Sequence, residues 1–286
     1  MRQLRLILLF ISIIPFKSQA QFFEAGIGIG GSVYYGDLSL DRAVDNFKLV
    51  RPSLGIFAGH HFNERVAVQL GVQNFTLTAD DALSTKDYIK ERNLSFRSNI
   101  WEIAFKGEFY ILPFDPHKID FPLSIYIASG ASVFFHNPKG YFAGQYHALQ
   151  PLSTEGQGLA SFPDRKPYKL MQIAIPAIVG LKYNVSPVIS LFVEFGPRFT
   201  FTDYLDDVSS TYAVGSELLA AKGDLAISLS DRRIPADGEA KTYPDRAQRG
   251  NANTKDMYFV GLAGVSFTLD DVLGGLFSEK VRCPKF

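Results

Sequence analysis

The sequence predicts an all-β protein: an eight-stranded antiparallel transmembrane β-barrel with long loops at one end and short turns at the other. Three observations predict it. Apolar and polar residues alternate with period two in segment after segment, each about ten residues or longer, the length a tilted strand needs to cross a bilayer. The connections between these segments alternate strictly between long and short. The composition also favours strands, with 25 Phe and 13 Tyr against one Trp and three Met, and 24 Gly spread along the chain.

The chain opens on an export leader. Arg2 and Arg5 precede the apolar run Leu6 to Ile14, and Ser18-Gln19-Ala20 offers small residues for cleavage. That order is a secretory signal peptide, and the run is too short to span a membrane as a helix. Residues 1–20 are therefore expected to be removed, 21–269 to form the barrel and 270–286 a periplasmic tail. Without Arg2, Arg5 and Lys17, 26 of the 29 basic residues remain against 29 acidic ones. Such a mildly acidic chain has no basic face for nucleic acid. No later run reaches the ~18 apolar residues of a transmembrane helix, and a single Cys excludes an internal disulfide framework.

The strands follow in order. Phe22–Val33 and Ser53–Phe62 carry weaker alternation. In Arg65–Phe75, Val66, Val68, Leu70 and Val72 oppose Arg65, Gln69, Gly71 and Gln73. In Phe96–Tyr110, Trp101, Ile103, Phe105 and Phe109 oppose Ser98, Glu102, Lys106 and Glu108. Leu123–Phe135 is again weaker, and Met171–Tyr183 sets Ile173, Ile175, Val179 and Leu181 against Gln172, Gly180 and Lys182. Val188–Phe201 is the cleanest, with seven apolar residues from Ile189 to Phe201 on one face; Val188 and Phe192 are exceptions on the other. Met257–Leu269 is apolar on both faces, so periodicity does not assign its inward side.

Long connections fall near 34–52, 78–95, 136–168 and 202–256, and short ones near 63–64, 111–121 and 184–187. In an outer-membrane barrel the long loops are extracellular and the turns periplasmic, so both termini lie in the periplasm. Lipid tolerates no open sheet edge, which requires the strands to close on themselves. An eight-stranded barrel has an interior just wide enough for side chains. Glu24, Glu102, Lys106, Glu108, Lys182, Glu194 and Arg198 form the expected interior charge network, read as a static, mutually paired plug or as an ion path.

The chemical motifs are sparse. Gly26, Gly28 and Gly31 match G-x-G-x-x-G formally, but no helix follows, so no dinucleotide site is expected. Instead Gly26, Gly28 and Gly30 share one strand face and leave room for bulky neighbours. Adjacent His60 and His61 point to opposite faces and cannot easily share a metal. His136 beside Ser132 and Asn137 is the nearest approach to a lipid-modifying site, without a third orienting group. No catalytic residue, cofactor, metal or small-molecule substrate is expected.

The connections and strand ends carry more specific text: "YYGDL" (34–38), "RNLSFRS" (92–98), "TEGQG" (154–158), "TFTDYLDDVS" (200–209), "QIAIP" (172–176) and "GLKYNVSP" (180–187). With these the chain resembles, over essentially its whole mature length, the PorG-type outer-membrane barrels of the Bacteroidetes. That resemblance implies a non-enzymatic component of the type IX secretion and gliding-motility machinery. It further implies contact with outer-membrane lipid and with a periplasmic ring built from a lipoprotein and a partner. Cys283, in the tail, is then either a free thiol or an intermolecular disulfide to the ring lipoprotein. A structural or adhesive barrel is the alternative, and a lipid-modifying enzyme a further one.

One cluster stands out. Asp203, Tyr204, Asp206 and Asp207 follow the lipid face that ends at Phe199 and Phe201. The D-x-x-D-D spacing does not supply a calcium loop. The cluster is expected to be an extracellular rim element, either a short helix or turn capped by Asp203 or an exposed partner-docking loop.

Overall fold

Sixteen residues, Ser95–Tyr110, form a strand whose exposure alternates without a break. Its exposed positions hold Trp101, Ile103, Phe105 and Phe109, and its buried ones Glu102, Lys106 and Glu108. A water-soluble sheet has the opposite arrangement, so this face is made for hydrocarbon and the polar face for an interior.

The computed structural model describes residues 21–40, 45–118, 122–233 and 245–269. The leader, Cys283 and the tail lie outside the described residues. The strands are β1 (Phe22–Tyr35), β2 (Arg51–His61), β3 (Val66–Asp80), β4 (Ser95–Tyr110), β5 (Leu123–Phe135), β6 (Lys139–Phe142), β7 (Gln145–Ala148), β8 (Met171–Asn184), β9 (Ile189–Thr200) and β10 (Met257–Thr268). Leaving aside the β6–β7 hairpin, each pairs antiparallel with the strand before it, and β10 pairs with β1. The sheet is therefore a closed, eight-stranded antiparallel barrel, as the sequence predicts. Short helices α1 (Asp87–Arg92), α2 (Gly215–Lys222) and α3 (Asp224–Ser230) sit in the long connections. Among the described residues no helix is long and apolar enough to cross a membrane.

The seam between β1 and β10 is built from small residues, with Gly28 opposite Gly264 and Gly31 opposite Gly261. At Gly30 a Cβ would lie 1.9 Å from the Gly261 carbonyl oxygen, closer than any side chain can approach, so only glycine fits. Gly26 and Gly28 make room for rings: their added Cβ atoms would meet Phe57 at 2.5 Å and Phe192 at 2.9 Å. This accounts for the apolar exception at Phe192, which points inward and meets Phe57 edge-on. The same principle resolves β10, where Tyr258, Val260 and Leu262 face the interior. They join an aromatic and aliphatic cluster that includes Phe75 and Phe134.

At the short-turn end Asn63 Oδ1 accepts the backbone N–H groups of Arg65 and Val66, tying the β2–β3 turn. Phe22, Tyr110, Phe114, Tyr126 and Ile178 close the barrel there. At the other end β3 and β4 overshoot their neighbours. β2 reaches β3 only to the Ser53–Phe75 pair, and β5 reaches β4 only to Phe135–Trp101. The remaining ribbon would expose a free edge, and β6 covers it on one side at Arg97–Lys139. Around it the long connections fold inward, placing Leu38, Leu49, Leu149, Leu205, Val208 and Leu229 in one cluster with the upper lumen. The loops form a packed cap.

Candidate functional site

The lumen holds its charges in three storeys. Nearest the short turns, Lys182 Nζ lies 2.7 Å from Glu24 Oε2 and donates to Tyr110 Oη at 2.9 Å. His61 also contacts Glu24, and Glu108 accepts from Gln69 and Tyr110. In the middle, Lys106 donates to both oxygens of Glu194 at 3.1 and 3.2 Å, and the Tyr126 hydroxyl donates to Glu194 as well. Above them Arg198 lies 3.7 Å from Glu102, which accepts from Tyr258. All seven charged residues named from the sequence are buried. The alternation that puts large apolar groups outside forces these polar groups in, and burial makes pairing obligatory.

A second network fills the cap. Asp207, held at φ 71°, accepts from Tyr168 Oη at 2.7 Å and from the Thr154 hydroxyl, while its carbonyl accepts from Arg249. Arg249 Nη1 also donates to Glu155 Oε1 at 3.1 Å. Glu155 is fully buried and accepts from the backbone N–H groups of Ser209 and Ser210 and from the Ser210 and Tyr204 hydroxyls. Tyr204 stacks on Tyr168 with ring centres 4.9 Å apart. Asp203 accepts from Ser209 Oγ at 2.7 Å. The Tyr34 hydroxyl lies 2.7 Å from Asp206 Oδ2 and 2.8 Å from Asp256 Oδ1. Arg92 binds Asp81 through two nitrogens and donates to the carbonyls of Asp37 and Arg249.

Four of the quoted segments therefore meet in one place. "YYGDL" contributes Tyr34 and Asp37, "RNLSFRS" Arg92, "TEGQG" Thr154 and Glu155, and "TFTDYLDDVS" its three aspartates. Asp256 and Arg249, which complete the network, sit in a long loop without periodicity or motif to mark them; only the tertiary pairing identifies them. Burial pushes the carboxyls of Asp203 and Asp207 up to about 6, and those of Asp206 and Asp256 well above the ordinary aspartate range.

This corrects the reading of the acidic cluster in two respects. Asp203 caps no helix, because residues 201–210 form bends and the next helix begins at Gly215. The cluster is also no exposed docking loop, since Asp203, Asp206 and Asp207 are all buried. Its carboxylates face inward because the loop's own apolar residues, Leu205 and Val208, anchor it in the upper core.

The candidate lipid-modifying set is dispersed. The Ser132 hydroxyl donates to the Ala174 carbonyl and His136 Nε2 to the Lys169 carbonyl. Burial lowers the His136 pKa to about 4, leaving a neutral ring. Among the described residues no hydrogen bond joins Ser132, His136 and Asn137, and no group of three or more His, Cys, Asp or Glu has the arrangement of a metal site.

Comparison with known proteins adds a family. No curated protein matches the sequence. Solved structures of similar shape include the attachment invasion locus protein Ail of Yersinia pestis, at 8% identity, covering 87% of this chain and 98% of that one with a TM-score of 0.39. Neisserial surface protein A matches at 10% identity, 87% and 99% coverage and a TM-score of 0.40. The outer membrane protein OprG from Pseudomonas aeruginosa matches at 9% identity, 88% and 97% coverage and 0.38. These are distant likenesses, and the barrel stands on its own strand pairing. A family model described as "Domain of unknown function (DUF6089)" matches residues 2–215, most of the chain, and the protein belongs to that family.

Proposed function

We propose that the protein is an outer-membrane barrel acting as a sealed, non-enzymatic anchor within a type IX protein-export machine. The observation that carries the anchoring role is the double closure. Paired charges fill the lumen, and the long loops are locked into a buried cap instead of a channel mouth. The apolar belt fits a bilayer, and the leader at residues 1–20 directs the chain out of the cytoplasm. Glu24 of β1 pairs with Thr268 of β10 at the short-turn end, the end that is periplasmic in outer-membrane barrels, which supports an outward-facing cap. The resemblance of the cap-forming segments to PorG-type barrels supports the export machine as the setting. A periplasmic ring lipoprotein is then the partner, with Cys283 its candidate covalent link.

A second reading, a structural or adhesive barrel, is favoured by the aromatic side chains exposed on the loops, among them Tyr88, Tyr141 and Tyr146. A deletion strain separates the readings. Loss of secreted proteases or of gliding is the expected result. Changed adhesion alone supports the second reading, and an altered lipid A mass would point to an enzyme and overturn both. For Cys283, wild-type membranes should give a reducible high-mass band on non-reducing gels that Cys283→Ser abolishes.

A further inference from the structure

The overshooting β3–β4 ribbon, the start of β2, the β6–β7 hairpin and the segment after α3 frame a cavity of about 400 Å³ on the flank of the cap. Arg51, Lys139 and Arg232 line it, and Asp80 is the one lining carboxylate among the described residues. That carboxylate is already engaged, capping the turn that follows β3 by accepting from Ala82 N–H. Among the described residues these cations hydrogen-bond only to neutral groups. Arg232 Nη1 donates to Ser95 Oγ at 2.9 Å and Arg51 to the adjacent Val50 carbonyl, and among the described residues neither they nor Lys139 forms an ion pair. The contrast with the lumen and the cap is sharp, because there the buried cations sit against carboxylates. Burial lowers the Arg232 pKa, and Asp80 and Asp81 offset this only in part.

A second feature points the same way. Arg97 of β4 sits directly opposite Lys139 of β6, and both are exposed. Like charges facing each other across paired strands repel, so the pairing is costly unless an anion sits between them. The Arg97 guanidinium also lies 5.8 Å over the Tyr146 ring. Tyr146 and Tyr141 have ring centres 5.1 Å apart, and each is half exposed toward the cavity. Aromatic faces suit the C–H surface of a sugar ring, and the lining Ser95 and Asn93 side chains can exchange hydrogen bonds with its hydroxyls.

We propose that this cavity binds an acidic saccharide, a sugar carrying two or more phosphate, sulfate or carboxylate groups. Arg97 and Lys139 hold one anionic group, Arg51 and Arg232 a second, and the two tyrosines pack against the ring between them. The height of the cavity brings two sources within reach. Arg97 lies four residues beyond Trp101 on β4, about 13 Å along the strand, where the apolar belt gives way to the headgroup layer. The headgroup of an outer-leaflet glycolipid and a free acidic glycan outside the cell present the same chemistry. The lipid source depends on the outward orientation of the cap proposed above; saccharide binding itself does not.

Calorimetric titration of the full mature protein in a sugar-free polyoxyethylene detergent tests the site. Glucose 1,6-bisphosphate should bind and glucose should not, with affinity falling as salt rises. The double variant Arg97→Gln, Lys139→Gln should bind roughly tenfold more weakly or worse. Both substituted side chains are exposed, so the unheated, folded band on gels should be unchanged. Tyr141→Ala with Tyr146→Ala should weaken the sugar bisphosphate and spare inorganic phosphate. A parallel arm in phosphatidylcholine nanodiscs with lipid A assigns the source. Lipid A retained by wild type and lost by the arginine–lysine variant identifies the glycolipid, and soluble binding with equal lipid A retention identifies a free glycan. Bisphosphate binding that is absent, or equal in wild type and that variant, overturns the site. Inorganic phosphate bound as tightly as the sugar bisphosphate, with no effect of tyrosine loss, overturns the saccharide.

Discussion

The Tyr34 hydroxyl carries one proton, and two carboxylates lie within hydrogen-bond distance of it. It can donate to only one of Asp206 and Asp256, so the other must itself be protonated and donate to the phenol oxygen. Asp206 also accepts from Val208 N–H and Asp256 from Leu205 N–H, which anchors the pair to the loop it organises. Tyr34→Phe leaves two buried carboxyls without their bridge and should destabilise the cap by ~1–3 kcal/mol. Faster proteolysis of the fourth long loop in intact barrels would register it, and unchanged proteolysis would count against the bridge. The four aspartates also give the cap a pH dependence. Their folded pKa values lie above the ordinary value of ~3.9, so their contribution is complete below that pH. It is lost as pH rises through about 6 for Asp203 and Asp207, and as pH rises through the raised pKa values of the other two. Amides of Leu205, Val208 and Ser209 should therefore be better protected at pH 5 than at pH 8, once intrinsic exchange rates are normalised. Equal protection would mean that the cap holds these carboxyls ionised.

At the scale of elements, strand faces carry separate duties. Val193 sits in mid-β9, half exposed on the lipid face, opposite Ala263 of β10 and Leu181 of β8. On a soluble protein a Val193→Arg substitution at such an exposed site would cost little. In a bilayer it should cost ~2–4 kcal/mol, measured by denaturant unfolding in lipid vesicles. A negligible cost would deny that this face meets hydrocarbon. The inward face of β1 answers to packing instead. Gly28→Ala places a methyl 2.9 Å from the Phe192 ring, so folding yield should fall and Phe192→Leu should restore it. Gly30→Ala meets backbone instead of a side chain, and no such repacking should rescue it.

For the whole molecule the decisive feature is that both the lumen and the cap are filled. Lys106 and Glu194 pair at mid-height, and each is nearly inaccessible. Purified protein in planar bilayers should show no conductance above background. Lys106→Met, which leaves Glu194 without its cation, should cost ~3–5 kcal/mol of stability without opening a path. Steady channels in wild type would return the interior charges to the ion-path reading.

How much of this was legible depends on the kind of constraint. The eight strands emerge from the sequence with ends within a few residues of those observed in most cases, because lipid outside and a polar plug inside demand opposite residues at every step. Strand β3 runs five residues further than its alternation indicates, since the ribbon Thr76–Asp80 is held by β4 and the cap and no longer by the membrane. β10 offered no inward face to periodicity, because Tyr258, Val260 and Leu262 on its inward side join the apolar upper core. The cap was the least legible. Asp203, Asp206 and Asp207 read as a surface cluster, as loop carboxylates ordinarily do, and nothing local marks Glu155, Arg249 or Asp256 as their partners. By itself the sequence determined the barrel, its strand number and the inward charges, since these follow from a repeating local pattern against two different solvents. Only the tertiary structure decided that the loops close into a cap with the aspartates inside it and that Arg51, Lys139 and Arg232 line one cavity on its flank. Those contacts join residues tens to hundreds of positions apart, and no local pattern encodes them.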